Sequence, residues 1–132
     1  MKYLRYIYLL SLMCLFTACE EDIEIQTGEV FNVGEYYAQV KCEYFWDEVP
    51  DRTAEFGVNY SVSRIDVENG AGCYAQSINI EGNTFTTTLT YDSDIEPLGS
   101  KYYYRGYMYY KGHYYYGDIR WFRSGKGQRQ RE

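Results

Sequence analysis

A chain of 132 residues, 45% hydrophobic and 20% aromatic, has room for one domain of moderate size and enough apolar surface to bury a core without metal or disulfide support. Its formal charge of −6, with no basic stripe, repels phosphate backbones and argues against nucleic acid as a partner. No Ser-His-Asp set, nucleotide loop or convincing carboxylate pair is visible, so no enzyme is expected and no cofactor is implied.

Residues 1–18 read as a secretory signal peptide: Lys2 and Arg5 come first, then an apolar run from Ile7 to Phe16, then small residues before Cys19. The apolar run falls short of the roughly 20 residues of a bilayer span. Phe16-Thr17-Ala18-Cys19 resembles the bacterial lipobox, which implies that Cys19 is acylated and becomes the first mature residue. Glu20-Glu21-Asp22 resembles the acidic export signal of surface lipoproteins in Bacteroidota; the alternative for residues 19–24 is a solvated acidic linker. Acyl chains contribute about 0.8 kcal/mol per buried methylene, so the expected membrane partner is reached through lipid at Cys19. The implied location is the outer membrane, lipid-anchored and surface-exposed.

Apolar alternation from Ile23 to Val30 suits an edge strand. Tyr36 to Trp46 places Ala38, Val40, Cys42, Tyr44 and Trp46 on one face, with Gln39, Lys41 and Glu43 on the other. Pro50 marks a turn, after which Phe56, Val58, Tyr60 and Val62 alternate against Gly57, Asn59 and Ser61. The polar segment Asp66 to Gly72 reads as a loop. Tyr74 to Ile80 and Thr84 to Tyr91 then read as a hairpin around Glu81-Gly82-Asn83. The run Tyr102 to Phe122 reads as two antiparallel strands joined at Lys111-Gly112-His113, because aromatic residues favour a pleated surface and Gly112 supplies the turn. Nine of the 18 tyrosines lie between Tyr102 and Tyr116, more than one buried face absorbs. Short alternating strands with no helical period after the leader predict an all-β antiparallel sandwich.

These residues resemble the fibronectin type III-like, immunoglobulin-like domains of Bacteroidota lipoproteins. The resemblance is carried by Gly57-Val58-Asn59-Tyr60-Ser61, by Phe85 to Thr90, by the corner Ile95-Glu96-Pro97 leading into Tyr102 to Tyr107, and by Tyr116-Gly117 with Phe122. It implies about seven strands over residues 25–123; residues 124–132, glycine-rich and polar, read as a disordered tail. It also implies that Tyr102 is a corner tyrosine bonded to nearby backbone, a structural role. Leu98 is one residue more than the family corner carries, and Trp121 stands where a small polar residue is usual.

By alternation Tyr104, Gly106 and Met108 face inward with Tyr102. Tyr103, Arg105, Tyr107 and Tyr109 face outward as a row spaced about 7 Å per step, suited to stacking on sugar rings or partner side chains. Arg105 is placed to stack or to bind a ligand carboxylate. The alternative is that these rings pack on one another across strands. The last strand is open to two readings: family alignment puts Arg120 and Phe122 on one face, whereas hydrophobicity buries Ile119 and Trp121. A bulge near Gly117 reconciles them, and an outward Trp121 joins the aromatic face.

Cys42 and Cys73 remain after the leader and lipid site, either bridged or as two thiols. His113 at the hairpin tip lacks ligand partners, and Asp92, Asp94 and Glu96 lack the spacing of a calcium loop, so no metal is expected. The function read from the sequence is a lipid-anchored cell-surface binding module engaging a glycan or protein partner. The alternative is a non-catalytic structural accessory subunit of an outer-membrane assembly.

Overall fold

The computed structural model describes residues 22–92 and 94–125; the leader, Cys19, Glu20 and Glu21 lie outside the described residues. Among the described residues no helix is long and apolar enough to cross a membrane. In chain order come β1 Glu24–Gln26, β2 Val30–Phe31, β3 Tyr37–Phe45, β4 Glu55–Ser61, α1 Arg64–Glu68, β5 Cys73–Gln76, β6 Asn79–Glu81, β7 Thr84–Thr90, β8 Lys101–Tyr110, β9 His113–Tyr116 and β10 Arg120–Arg123.

These strands make two antiparallel sheets. In the first, β1 and β2 lie end to end along one edge of β3, while β7 and then β6 follow on its other side. In the second, β5, β4 and β8 are neighbours, and β9 and β10 lie end to end along the far edge of β8. The period of two puts Ala38, Val40, Cys42, Phe85 and Leu89 of the first sheet against Phe56, Val58, Tyr104, Met108 and Phe122 of the second. Each of the Val, Leu, Met and Phe side chains among them, taken out of water, contributes roughly 1.5–3 kcal/mol. The fold is therefore the expected all-β antiparallel sandwich, drawn with ten strand segments because both outer strands and the sheet-crossing strand are broken.

Several local expectations are corrected. The predicted loop Asp66 to Gly72 begins inside α1: Ser63 caps this helix by accepting the Asp66 N–H at 3.3 Å, and Val67 is fully buried against the sheet beneath. A five-residue helix is too short to show a period in sequence. Tyr74 to Ile80 is not one strand. β5 pairs with β4 and β6 with β7, so the chain changes sheets at Ser77, whose hydroxyl donates to the Thr86 carbonyl at 2.6 Å. The first edge strand is likewise two pieces, broken at Thr27. Val62 is exposed because β4 ends at Ser61, whereas Gly57 and Asn59, on the face opposite Phe56, Val58 and Tyr60, are buried as well. Trp46, beyond the end of β3, lies edge-on to Tyr110 at 5.5 Å.

The tail's Ser124 is buried, its N–H donating to Ser100, and residues 126–132 lie outside the described residues. Cys42 and Cys73 are unbridged: Cys42 is buried in the core, where loss of hydration pushes its thiol up to about 11, and Cys73 is exposed.

Tyr102 sits in the core stacked between Tyr91 (5.3 Å) and Phe122 (5.5 Å). The corner bond from its hydroxyl to backbone is not found among the described residues; stacking holds the ring instead. Tyr104 donates to the Gly28 carbonyl at 2.9 Å. Burial pushes both phenols up to about 12 from the ordinary 10.0. The folded state thus keeps protons that the unfolded chain releases. The stability they contribute is complete below pH 10 and is lost as pH rises through about 12. Urea unfolding at stepped pH is expected to show the midpoint falling across this window, together with delayed tyrosinate absorbance; a flat midpoint would contradict the assignment.

Candidate binding face

The outer face of the second sheet is set by one irregularity. Tyr107 pairs with Tyr116 and Tyr104 with Arg120, so the three residues 117–119 oppose the two residues 105–106. This is a bulge, at the glycine where the sequence suggested one. Beyond it the facing of the last strand is inverted relative to a regular hairpin: Phe122 goes into the core and Trp121 goes outward beside its register partner Tyr103. Of the two sequence readings, burial of Trp121 by hydrophobicity is the one overturned.

The face divides into a roofed half and an open half. In the roofed half the expected open row is corrected: Tyr107 is 0% exposed and Arg105 only 9%. The ring of Tyr107 lies over Gly57, its register partner, where an added Cβ would meet the ring at 2.7 Å and the Ala75 carbonyl oxygen at 2.1 Å. Tyr74 and Tyr114 pack on it at 5.1 and 5.8 Å, and its hydroxyl donates to the Glu55 carboxylate at 2.5 Å. Burial, with that carboxylate beside it, pushes the phenol well above its usual range.

Arg105 is held as firmly. Its Nε donates to Asn59 Oδ1 at 3.3 Å and its Nη2 to the Val67 carbonyl of α1, while the Tyr116 ring lies 3.6 Å from its Cζ. Asn59 in turn donates to Ala71 at 2.7 Å and Cys73 at 3.2 Å, and Tyr74 to Gly70 at 2.7 Å. Arg105 therefore fastens α1 and its following turn to the sheet and is not presented to a ligand. Tyr109 and Tyr114, at 4.5 Å, form the margin of this half, with Tyr114 42% exposed.

The open half is built on Tyr103 and Trp121, both half-buried and side by side on adjacent strands. Around them stand cations that the sequence reading did not select. Lys101 Nζ lies 4.4 Å from the Trp121 centroid and 5.3 Å from that of Tyr103. Arg123 Cζ is 5.9 Å from Trp121, and Arg64 Cζ, from α1, is 5.9 Å from Tyr103. The alternation 101, 103 and 121, 123 carried the sequence signal for two of these; Arg64 arrives only because α1 folds over the sheet. Among the described residues no group of His, Cys, Asp or Glu is arranged to hold a metal.

The fold and this face define a class: an antiparallel two-sheet β-sandwich with one aromatic, cation-bearing sheet face. No family model matches the chain and no curated protein matches it. Among solved structures it is similar to the sensor domain of the anti-sigma factor RsgI4 from Pseudobacteroides cellulosolvens, with a TM-score of 0.50 and 10% identity over 80% of this chain and 77% of that one. At such identity the likeness concerns the all-β fold and transfers no residue role.

Proposed function

We propose that this chain is a non-catalytic, fibronectin type III-like binding module, anchored by lipid at Cys19 on the surface of a bacterial outer membrane, with Glu20, Glu21 and Asp22 as its export signal. Its ligand, a glycan or a protein segment, engages the Tyr103–Trp121 end of the outer sheet face. The observation that carries this reading is the pairing of Tyr103 with Trp121 across β8 and β10. Two half-buried rings side by side on β8 and the edge strand β10 make a partly solvated apolar platform, while most of the other tyrosines of that face are locked in packing. That the structural neighbour is a sensor domain supports a recognition role over a purely mechanical one. Arg105 and Tyr107 support it from within, and Tyr109 lies beyond them at the far margin of the roofed half.

The test is affinity electrophoresis and calorimetry of the chain from Glu20 onward, which contains both sheets and their core, against a panel of polysaccharides. Tyr103→Ala with Trp121→Ala is expected to abolish retardation with the unfolding transition kept. Unchanged binding in the folded double variant would remove these rings from the site. If no polysaccharide is retarded, the glycan reading fails, and crosslinking in cells tests for a protein partner.

A further inference from the structure

We infer that the Tyr103–Trp121 end is an anion site and that its ligand is an acidic glycan, a uronic-acid residue placing its carboxylate among Lys101, Arg123 and Arg64. This rests on the platform proposed above and adds the chemistry of what it takes. The first observation is the register: Lys101 and Arg123 are direct cross-strand partners, on the same outer face as Tyr103 and Trp121. Like charges directly opposite in a sheet repel and are not placed there for stability. The second is the absence of relief. The described residues contain two ion pairs, Arg64–Glu68 and Arg120–Glu29, and neither Lys101 nor Arg123 belongs to one, so these two are the principal cations and Arg64, shared with Glu68, is secondary.

Arg123 spends one donor on the Gly99 carbonyl, at 3.1 Å, leaving the rest of its guanidinium for an anion. The rings hold the cations in place without cancelling their charge, since a ring quadrupole carries no net charge. This concentration of positive charge stands on a chain with 19 acidic residues against 13 Lys and Arg, whose overall field is of the opposite sign.

The rest of the chemistry narrows the anion. Two half-buried rings side by side on the outer sheet face offer apolar surface to a pyranose ring, which draws Lys101 Nζ from over the rings onto its carboxylate. Three cations are too few to hold a nucleic acid against the net negative charge. A carboxylate on a sugar ring meets both demands at once: the ring lies on the platform and the charge reaches the cations.

The experiment compares polygalacturonate and alginate with their carboxyl-reduced, neutral counterparts, using the chain from Glu20 onward at low and moderate NaCl. The acidic polymers are expected to bind at least tenfold tighter than the reduced ones, with affinity falling as salt rises. Lys101→Gln with Arg123→Gln is expected to lose about tenfold for the acidic polymer and to leave the weaker binding of the reduced polymer unchanged. Its urea midpoint is expected to be equal to or above that of the parent at low salt, because a repelling pair is gone.

Equal binding of acidic and reduced polymers, lost on Tyr103→Ala, would overturn the anion site while leaving the platform standing. No binding of either would remove both. Polyglutamate binding as tightly as the uronates would assign the site to an acidic protein segment instead, and a marked drop in midpoint for the double Gln variant would assign the cations to the fold.

Discussion

Tyr107→Ala is expected to lower folding stability by about 3–5 kcal/mol, the range for truncating a buried aromatic side chain. Its ring is fully buried, covers the bare backbone of Gly57, and is itself wedged against Tyr74 and Tyr114. Removing it opens a void beside the Ala75 carbonyl and two tyrosines that lose their packing partner. Tyr107→Phe keeps the ring and loses only the bond to Glu55, so about 1.5 kcal/mol is the expected cost. Chemical denaturation of both variants separates the two contributions. A stability for Tyr107→Ala within 1 kcal/mol of the parent, together with lost ligand binding, would return Tyr107 to the role of contact residue that its outward alternation suggested.

Arg105→Ala is expected to cost about 2–4 kcal/mol and to loosen α1 specifically. The substitution leaves Asn59 Oδ1 without its Arg105 donor, takes one donor from the Val67 carbonyl, which keeps the Gly70 N–H at 3.0 Å, and removes the cation beneath Tyr116. Arg105→Lys is expected to recover only part of this, because a single ammonium cannot serve two acceptors at different places and lie flat on the ring at the same time. Hydrogen exchange is the discriminating readout: amides of residues 64–71 should exchange faster in Arg105→Ala, while those of β3 and β7 change only with global stability. Because α1 carries Arg64 to Tyr103, affinity for an acidic polymer is expected to fall several-fold in the same variant. Uniform acceleration across both sheets would mean that Arg105 supports the fold as a whole and has no particular hold on α1.

The parts of the fold that could be read in the sequence are those where one strand face is buried and the other is wet. Ala38-x-Val40-x-Cys42 and Phe85-x-Thr87-x-Leu89 announce their inward faces because a one-residue slip would put every apolar group in water. The hairpin turn was equally local: Lys111 and Gly112 both have positive φ, 50° and 76°, so the two-residue turn matches the twist of the strands it joins. The segment around α1 was not legible, since its five residues are stabilised by Ser63, by the burial of Val67 and by Arg105, a residue 38 positions from its acceptor.

The candidate site shows the same division. Alternation determined that Tyr103, Arg105, Tyr107 and Tyr109 share the outer face, and composition determined that the tyrosines exceed what one core can hold. Which of them stay accessible was decided by tertiary structure, because α1, Tyr74, Tyr114 and Tyr116 come from other elements to cover Arg105 and Tyr107. The facing of Trp121 was decided in the same way. A Cβ on Gly117 would meet Thr27 Oγ1 at 2.5 Å, the Gly117 N–H donates to Gly106 at 2.9 Å, and the Gly106 N–H donates to the Thr27 hydroxyl at 3.1 Å. The break between β1 and β2 in one sheet thus locks the bulge in the other, and that one added residue turns Trp121 outward to Tyr103. Periodicity along a strand records which residues share a face; the contacts made across sheets fix register and cover, and those contacts join residues too far apart in sequence for any local pattern to show.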